Sequence, residues 1–358
     1  MSQLVWKRFQ IQGGKLKPGH RATIEDVAAH ADVGVGTVSR VLNHRQHVSQ
    51  STRDRVEAAI VELGYRPSQL ARSLSKGRSD LVSVVAPDIT RPSVVARIES
   101  CLAELNRVGV VASLFGVFNR TQFDQVVDAL SDPHSTRALV VVSIPVTSAQ
   151  VSALRTAHVS LIGLDIKIPS SDSVFIDNVL GGAMVGSHLF AQGYRRIGFI
   201  GDLDSGKFRF TSSRARLRGL RGALLKGGLP FETEHVAFCE HGTSPAKECA
   251  LELLASSRRP DAIFASSDTG ALGVLSAALE LGLRVPDHLG VIGFDDLEMA
   301  EVVGLSTVSQ PLSLSGAIVA ERLIERLTGS DAQTVHTSLD LHLVQRASTA
   351  RVPNFAKP

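Results

Sequence analysis

Three side chains able to make polar contacts, Thr37, Ser39 and Arg40, share one side of a short helical run, Val35 to Leu42, whose other side holds Val38, Val41 and Leu42. A two-turn amphipathic helix of this kind, entered through a tight break at Ala31 to Gly34, has the layout of a second helix that enters the DNA major groove. A second group lies further on, where Leu70, Ala71 and Leu74 fall on one face between Arg72, Lys76 and Arg78. An apolar face in a basic frame suits insertion into the minor groove, and it equally describes an interdomain linker with leucines packed on the body; the segment taken alone favours the linker. Catalytic chemistry finds no comparable support. His44 and His47 have a metal-like interval but no Cys or acid beside them, and Gly34-Val35-Gly36 lacks both a third glycine and a preceding strand. There is no G-x-S-x-G and no P-loop, so neither a catalytic residue, a metal site nor a cofactor is expected.

Several elements are needed to hold that first group. Thr23 is suited to cap a helix carrying Glu25 and Asp26 in its first turn and Ile24, Val27 and Ala28 on its inner side. After the second helix comes a polar loop, Asn43 to Val48. Ser49 then opens a third helix with Val56, Ala59, Ile60 and Leu63 in one stripe, ended by Gly64. Three such helices can close one small core. Pro67 and Gly77 bracket a further short helix, too short to be stable without support. Pairs of short helices are common, but here they coincide with a charge asymmetry. Residues 1–78 carry thirteen Lys and Arg against six Asp and Glu, whereas the chain as a whole is only +3. A basic head on a mildly acidic body is expected when only the head meets a polyanion.

The 358 residues suffice for two or three domains. From Leu81 onward, continuous apolar runs (Leu81 to Ala86, Val110 to Phe115, Ala138 to Ile144, Val159 to Leu164, Ile197 to Gly201, Ala262 to Ala265, Leu289 to Phe294) alternate with helical stretches. Runs of that type belong to parallel sheets covered on both faces, which predicts an α/β core of two doubly wound parallel-sheet lobes behind an all-α headpiece. Ligands in such sheets sit at the carboxyl ends of the strands. Cys101, Cys239 and Cys249 show neither pairing nor metal spacing and are expected as buried free thiols. Residues 1–21 read as a disordered basic extension with no assigned role. No stretch resembles a membrane span or a signal-peptide core, so the expected location is cytoplasmic, associated with the nucleoid.

With these residues in place, the chain resembles the lactose-repressor-type (LacI/GalR) family of bacterial transcriptional regulators from about Ala22 to Ala350. The resemblance is carried by TVSRVLN at 37–43, VSQSTRDRVEAAIVELGYRP at 48–67, ARSLSKGRS at 71–79 and VFIDNVLGG at 174–182, then by HLFAQGYRRIGFIG at 188–201, RLRGL at 216–220, VIGFDD at 291–296, TVSQP at 307–311 and LVQRAST at 343–349. It implies a helix-turn-helix headpiece (22–66), a hinge helix and linker (67–79), a type I periplasmic-binding-protein-like core (80–350) and a tail (351–358). The first lobe would span about 80–178 and 310–330, the second about 179–309 and 331–350. The positions matching the family's DNA contacts are Val35, Gly36, Thr37, Ser39 and Arg40, with Leu74 as minor-groove lever and Ala71 beside it. Gly36 has no side chain with which to read a base. The family's effector contacts carry over to Asp165, Arg216, Ser267 and Asp295, with Asp88 a weaker candidate; Asp296 is expected to be a cap or surface residue.

The resemblance implies a homodimer on a pseudo-palindromic double-stranded operator, controlled by a small-molecule effector, expected to be a carbohydrate. Two departures stand out. Ser266-Ser267-Asp268 replaces an Ala-Asn-Asp of many relatives, and Thr90-Arg91-Pro92-Ser93 replaces an Asn-Pro-Phe-Phe, removing aromatic surface and adding a cation at the mouth. The tail has no leucine heptad, so a dimer is expected rather than a tetramer. A sugar-binding protein of a transporter is the alternative; it would share the core but has no use for residues 22–78. A sugar-modifying enzyme would need a catalytic constellation, and none can be argued.

Overall fold

The structure, a computed structural model, describes residues 22–42, 48–65, 81–87, 89–203, 208, 210–329 and 333–351. The chain divides into two units, Met1–Lys76 and Gly77–Pro358. In the first, α1 (Ile24–His30) opens on a capping box: the Thr23 hydroxyl accepts from the Asp26 amide, and the Asp26 carboxylate accepts from the Thr23 amide. α2 (Val35–Leu42) follows a turn in which Asp32 adopts φ 50°. α3 (Gln50–Glu62) is capped by Ser49 and followed by Gly64 at φ 58°, a left-handed position that glycine adopts without steric cost. Val27, Ala28, Val38, Val41, Val56 and Ala59 form the shared core. His30 and Glu62, 2.7 Å apart, tie α1 to α3 at its edge.

The second unit holds two lobes. In the first, β1 (Val82–Pro87), β2 (Ala112–Val117), β3 (Ala138–Val142), β4 (Ser160–Leu164), β5 (Asp172–Ile176) and β11 (His336–Leu339) form a parallel sheet in the order β11-β5-β4-β3-β1-β2. The Ala138–Val142 strand is buried throughout, as a central parallel strand must be. α4 (Pro92–Arg107), α5 (Arg120–Leu130), α6 (Ser148–Thr156) and α12 (Leu312–Leu327) cover its faces, α4 and α12 packing against each other so closely that Gly316 leaves no room for a β-carbon beside the Arg97 carbonyl. The second lobe has β6 (Ile197–Asp202), β7 (Val236–Cys239), β8 (Ala262–Ala265) and β9 (Gly290–Ile292) in the parallel order β7-β6-β8-β9. Its helices are α7 (Asn178–Ala191), α8 (Ser212–Lys226), α9 (Thr243–Ala255), α10 (Asp268–Glu280) and the short α11 (Glu298–Val302). β10 (Thr307–Ser309) bridges to the β9 edge and pairs antiparallel with β12 (His342–Val344).

The chain passes between the lobes after β5, after β10 and after β11. The last passage corrects an expectation, because residues 336–339 join the first lobe's sheet rather than the second lobe beginning at 331. His336–Leu339 pairs in register with Ser173–Ile176, yet it is a half-exposed edge strand with no continuous apolar run to mark it. Cys101 is buried, where desolvation pushes its thiol up to about 12; Cys239 and Cys249 are only half-buried, against the expectation of full burial.

Candidate nucleic-acid interface and ligand cavity

α2 is the element whose polar face the sequence singled out, and its burial pattern agrees. Val38 and Val41 are sealed in the headpiece core, which fixes the helix by its inner side and turns Val35, Gly36 and Arg40 to solvent, with Thr37 and Ser39 half-buried at the margin. Val35 is 42% exposed. Such a face can meet a surface that offers both an apolar patch and hydrogen-bond acceptors. A thymine methyl beside a guanine edge is one such surface. Ala71 and Leu74 lie outside the described residues, as do the hinge segment 67–79, the tail beyond Arg351 and the extension 1–21.

In the second unit, a cavity of about 400 Å³ opens where the strands of both sheets end. Four of the predicted residues line it: Asp165, Arg216, Ser267 and Asp295. Asp88 lies outside the described residues. Asp165 follows β4 with φ 60° and accepts hydrogen bonds from Ser143 Oγ at 2.7 Å and Arg97 Nη2 at 3.0 Å. Arg216, on α8, donates from Nε to Asn178 Oδ1 at 2.8 Å and from Nη1 to the Ser266 carbonyl, with its guanidinium 3.5 Å from the centre of the Phe294 ring. Burial lowers its proton affinity from the usual arginine value, while Asp295, Asp165 and Asp202 counter that loss. Asp295 sits at φ 121°, only 5% exposed, and burial pushes its carboxyl up to about 7 although Arg216 pulls the other way. Ser267 lines the cavity, but its hydroxyl is engaged in capping α10, accepting from the Gly270 amide at 3.1 Å. Asp296 is drawn into an ion pair with Arg346 at 2.8 Å and does not line the cavity.

Several residues here were not singled out as ligand contacts. Arg97, 3% exposed, donates to Asp165 and to Gln310 Oε1 at 2.6 Å, and the Gln310 amide donates in turn to Asp295. One glutamine at the β10 to α12 passage thus couples the acids of the two lobes. Arg91, the cation read at the mouth, does line the cavity and pairs with Asp202 at 3.1 Å. Aromatic surface is nevertheless present in the lining, from Phe175 and Phe210. His241 Nδ1 lies 3.0 Å from Asp202 Oδ1. Burial raises the Asp202 carboxyl, but the His241 hydrogen bond and the charge of Arg91 outweigh it and hold the group below its ordinary value. Asp202 is therefore ionised and can only accept, so Nδ1 carries the proton. The other ring nitrogen, Nε2, is buried without a hydrogen-bond partner among the described residues. Arg97 Nε is a donor in the same condition.

Glu232, Glu234 and His235 form the metal-sized cluster among the described residues. None of them lines the cavity, and Arg258 already pairs with Glu232 at 2.8 Å, which opposes a second cation there.

Comparison with known proteins places both units. Residues 23–68 match the model of bacterial regulatory proteins of the lacI family, and residues 187–349 match a periplasmic binding protein-like domain. The HTH-type transcriptional regulator CelR of Thermobifida fusca is 31% identical over 339 residues, which cover 92% of this chain and 98% of that protein. Among solved structures, a CelR–cellobiose complex is 30% identical with a TM-score of 0.67, covering 92% of this chain and 100% of the other. A lac repressor dimer bound to operator and the anti-inducer ONPF is 25% identical with a TM-score of 0.80, covering 93% and 100%.

Proposed function

Since the chain belongs to the lacI family of bacterial regulatory proteins, we propose that it is a homodimeric transcriptional repressor of the cytoplasm and nucleoid, reading a pseudo-palindromic operator through α2 and answering to a carbohydrate held in the cavity. The two solved relatives, one with a disaccharide and one on operator DNA, support each half of that reading. On α2, Arg40 would grip a guanine edge in bidentate fashion, Val35 would touch a thymine methyl, and Thr37 and Ser39 would bond phosphates or base edges. Leu74, with Ala71 beside it, would meet its counterpart from the second subunit in the minor groove at the centre of the site.

One observation carries the carbohydrate reading. The cavity presents two buried polar atoms, His241 Nε2 and the donor Arg97 Nε, both without partners among the described residues, between acids that already hold their arginines. A sugar hydroxyl both donates and accepts, so a polyhydroxylated neutral ligand satisfies both groups without displacing an ion pair. The ligand controls DNA binding only if its affinity differs between the two arrangements of the lobes.

Two measurements test this. A gel shift of the full chain on its own promoter DNA is expected to be abolished by deleting residues 1–79; binding that survives the deletion refutes DNA reading by the headpiece. Thermal unfolding across a panel of neutral sugars, sugar phosphates and nucleobases is expected to shift with a neutral sugar by mass action on the folded state. A shift with a nucleobase alone removes the carbohydrate assignment and leaves the DNA role intact.

A further inference from the structure

Arg91 belongs to the first lobe, in the backbone position that caps α4. Asp202 ends β6 and His241 follows β7, both in the second lobe. The Arg91–Asp202 pair is therefore a contact between lobes, with each side chain 19% exposed, and His241 holds the free side of the Asp202 carboxylate. An apolar contact makes the same crossing. Phe208 lies between β6 and α8, two second-lobe elements, yet its ring is 4% exposed within the first lobe's core cluster, with Val85, Val117, Ile144 and Ile168. Phe210 joins the two contacts, its ring centre 5.3 Å from that of Phe208 and 5.4 Å from the Arg91 guanidinium.

We propose that Arg91, Asp202, Phe208 and Phe210 form a clasp that holds the two lobes together over the cavity. The polar half is partly buried, so it is weakly screened by solvent, and the cation rests on an aromatic face that strengthens as water leaves. Phe208 adds an anchor that must leave a packed core for the lobes to part. Any rearrangement that separates the lobes must first break these contacts, so the clasp biases the core toward the arrangement in which they are made. The clasp borders the cavity assigned above, but its test requires neither ligand nor DNA, so it can fail while that assignment stands.

The test is hydrogen exchange by mass spectrometry on the full-length chain, comparing the wild type with Arg91→Gln, Asp202→Asn, Arg91→Lys and the Arg91→Gln/Asp202→Asn double variant. Segments 141–147 and 264–270 carry cavity-lining residues from opposite lobes, and 272–280 serves as a control away from the cavity. Each single neutralising variant is expected to raise exchange in both cavity segments by about threefold or more while the control is unchanged, because local opening sets the rate. Arg91→Lys is expected to raise it less, and the double variant no more than either single one, since both remove the same contact. Wild-type exchange in the cavity segments of folded variants overturns the proposal. So does a change confined to residues 89–93, which would mark a local surface pair.

Discussion

Gly182 on α7 and Gly219 on α8 set the position of Arg216, and replacing the first with alanine tests whether that packing is required. A β-carbon at Gly182 would stand 1.9 Å from the Arg216 carbonyl oxygen and 2.6 Å from its carbonyl carbon. The obstacle is backbone, which cannot rotate aside as a side chain can. Restoring ordinary contact, about 3.5 Å between such atoms, moves α8 away by about 1.5 Å. The bond from Arg216 Nε to Asn178, now 2.8 Å, does not survive a shift of that size. Overpacking of this kind costs about 1 to 3 kcal/mol, and the roughly 1 kcal/mol that alanine gains over glycine in a helix offsets only part of it. Net destabilisation of up to about 2 kcal/mol is expected for Gly182→Ala, together with loss of the ligand-induced shift in melting temperature. Gly222, on α8, supplies the control, since its β-carbon would meet nothing within 4 Å. Gly222→Ala should stabilise by about 0.5 to 1 kcal/mol through propensity alone. Urea unfolding of the full-length variants followed by far-ultraviolet circular dichroism measures the two stabilities, and thermal unfolding with and without ligand measures the shift. A Gly182→Ala protein as stable as the Gly222→Ala protein, with its ligand response intact, would refute close helix approach as the source of Arg216's placement.

Three further expectations concern the same two surfaces. Arg40→Ala should weaken operator binding by about 1 to 3 kcal/mol and relax preference at one base pair; an equal loss on operator and random DNA, measured by competition gel shift, would remove base reading by Arg40. Arg216→Ala should abolish the ligand response while ligand-free DNA affinity stays near normal, and an unchanged calorimetric affinity for the identified sugar would show the pocket misplaced. For pH, folded Asp295 takes up a proton as pH falls through about 7, whereas the unfolded carboxyl does so only near 4. Stability therefore rises as pH falls from 8 through 7 and stops gaining near 4, with a slope of at most about 1.4 kcal/mol per pH unit from this group. Asp268, raised by burial, acts in the same direction, while the stabilisation from Asp172 and Asp202, both held low, is lost only at more acid pH. Asp295→Asn should flatten the curve between pH 5 and 8 in urea titrations; an unaltered slope would mean that Asp295 is ionised throughout.

The parts of the fold written in period and composition were readable from the chain. Ala138–Val142 and Ala262–Ala265 announce themselves as continuous apolar strands, and Thr23 and Ser49 as caps. His336–Leu339 and His342–Val344 do not, since edge strands with polar residues on alternate positions resemble loops. Asp165, Arg216 and Asp295 were found by position in the family pattern, not by any local signal. Arg97 could have been found without it: Val94, Ile98, Cys101 and Leu105 make a buried stripe along α4, and Arg97 falls on that stripe, where a charge requires a partner. Gln310, His241 and Phe210 gave no such sign. Each is an ordinary residue in a connecting segment, and only the closure of two sheets brings them to one cavity. The glycines at 182 and 219 were visible as matching residues, but their reason, two helices touching through backbone, exists only in three dimensions.

The late passage of the chain back into the first lobe bears on how the protein is made. A ribosome delivers β1 to β5 early and then spends most of the second lobe's length before it delivers His336–Leu339, the strand that covers the β5 edge. Through that interval Asp172–Ile176 presents an unpaired parallel edge, and Asp172 lacks the Arg326 fork and the Val335 amide that later hold it. The nascent first lobe is thus open to pairing with another strand on the same polysome, and slowing translation over residues 180–335 should raise the yield of aggregated chains more than slowing it over residues 81–170.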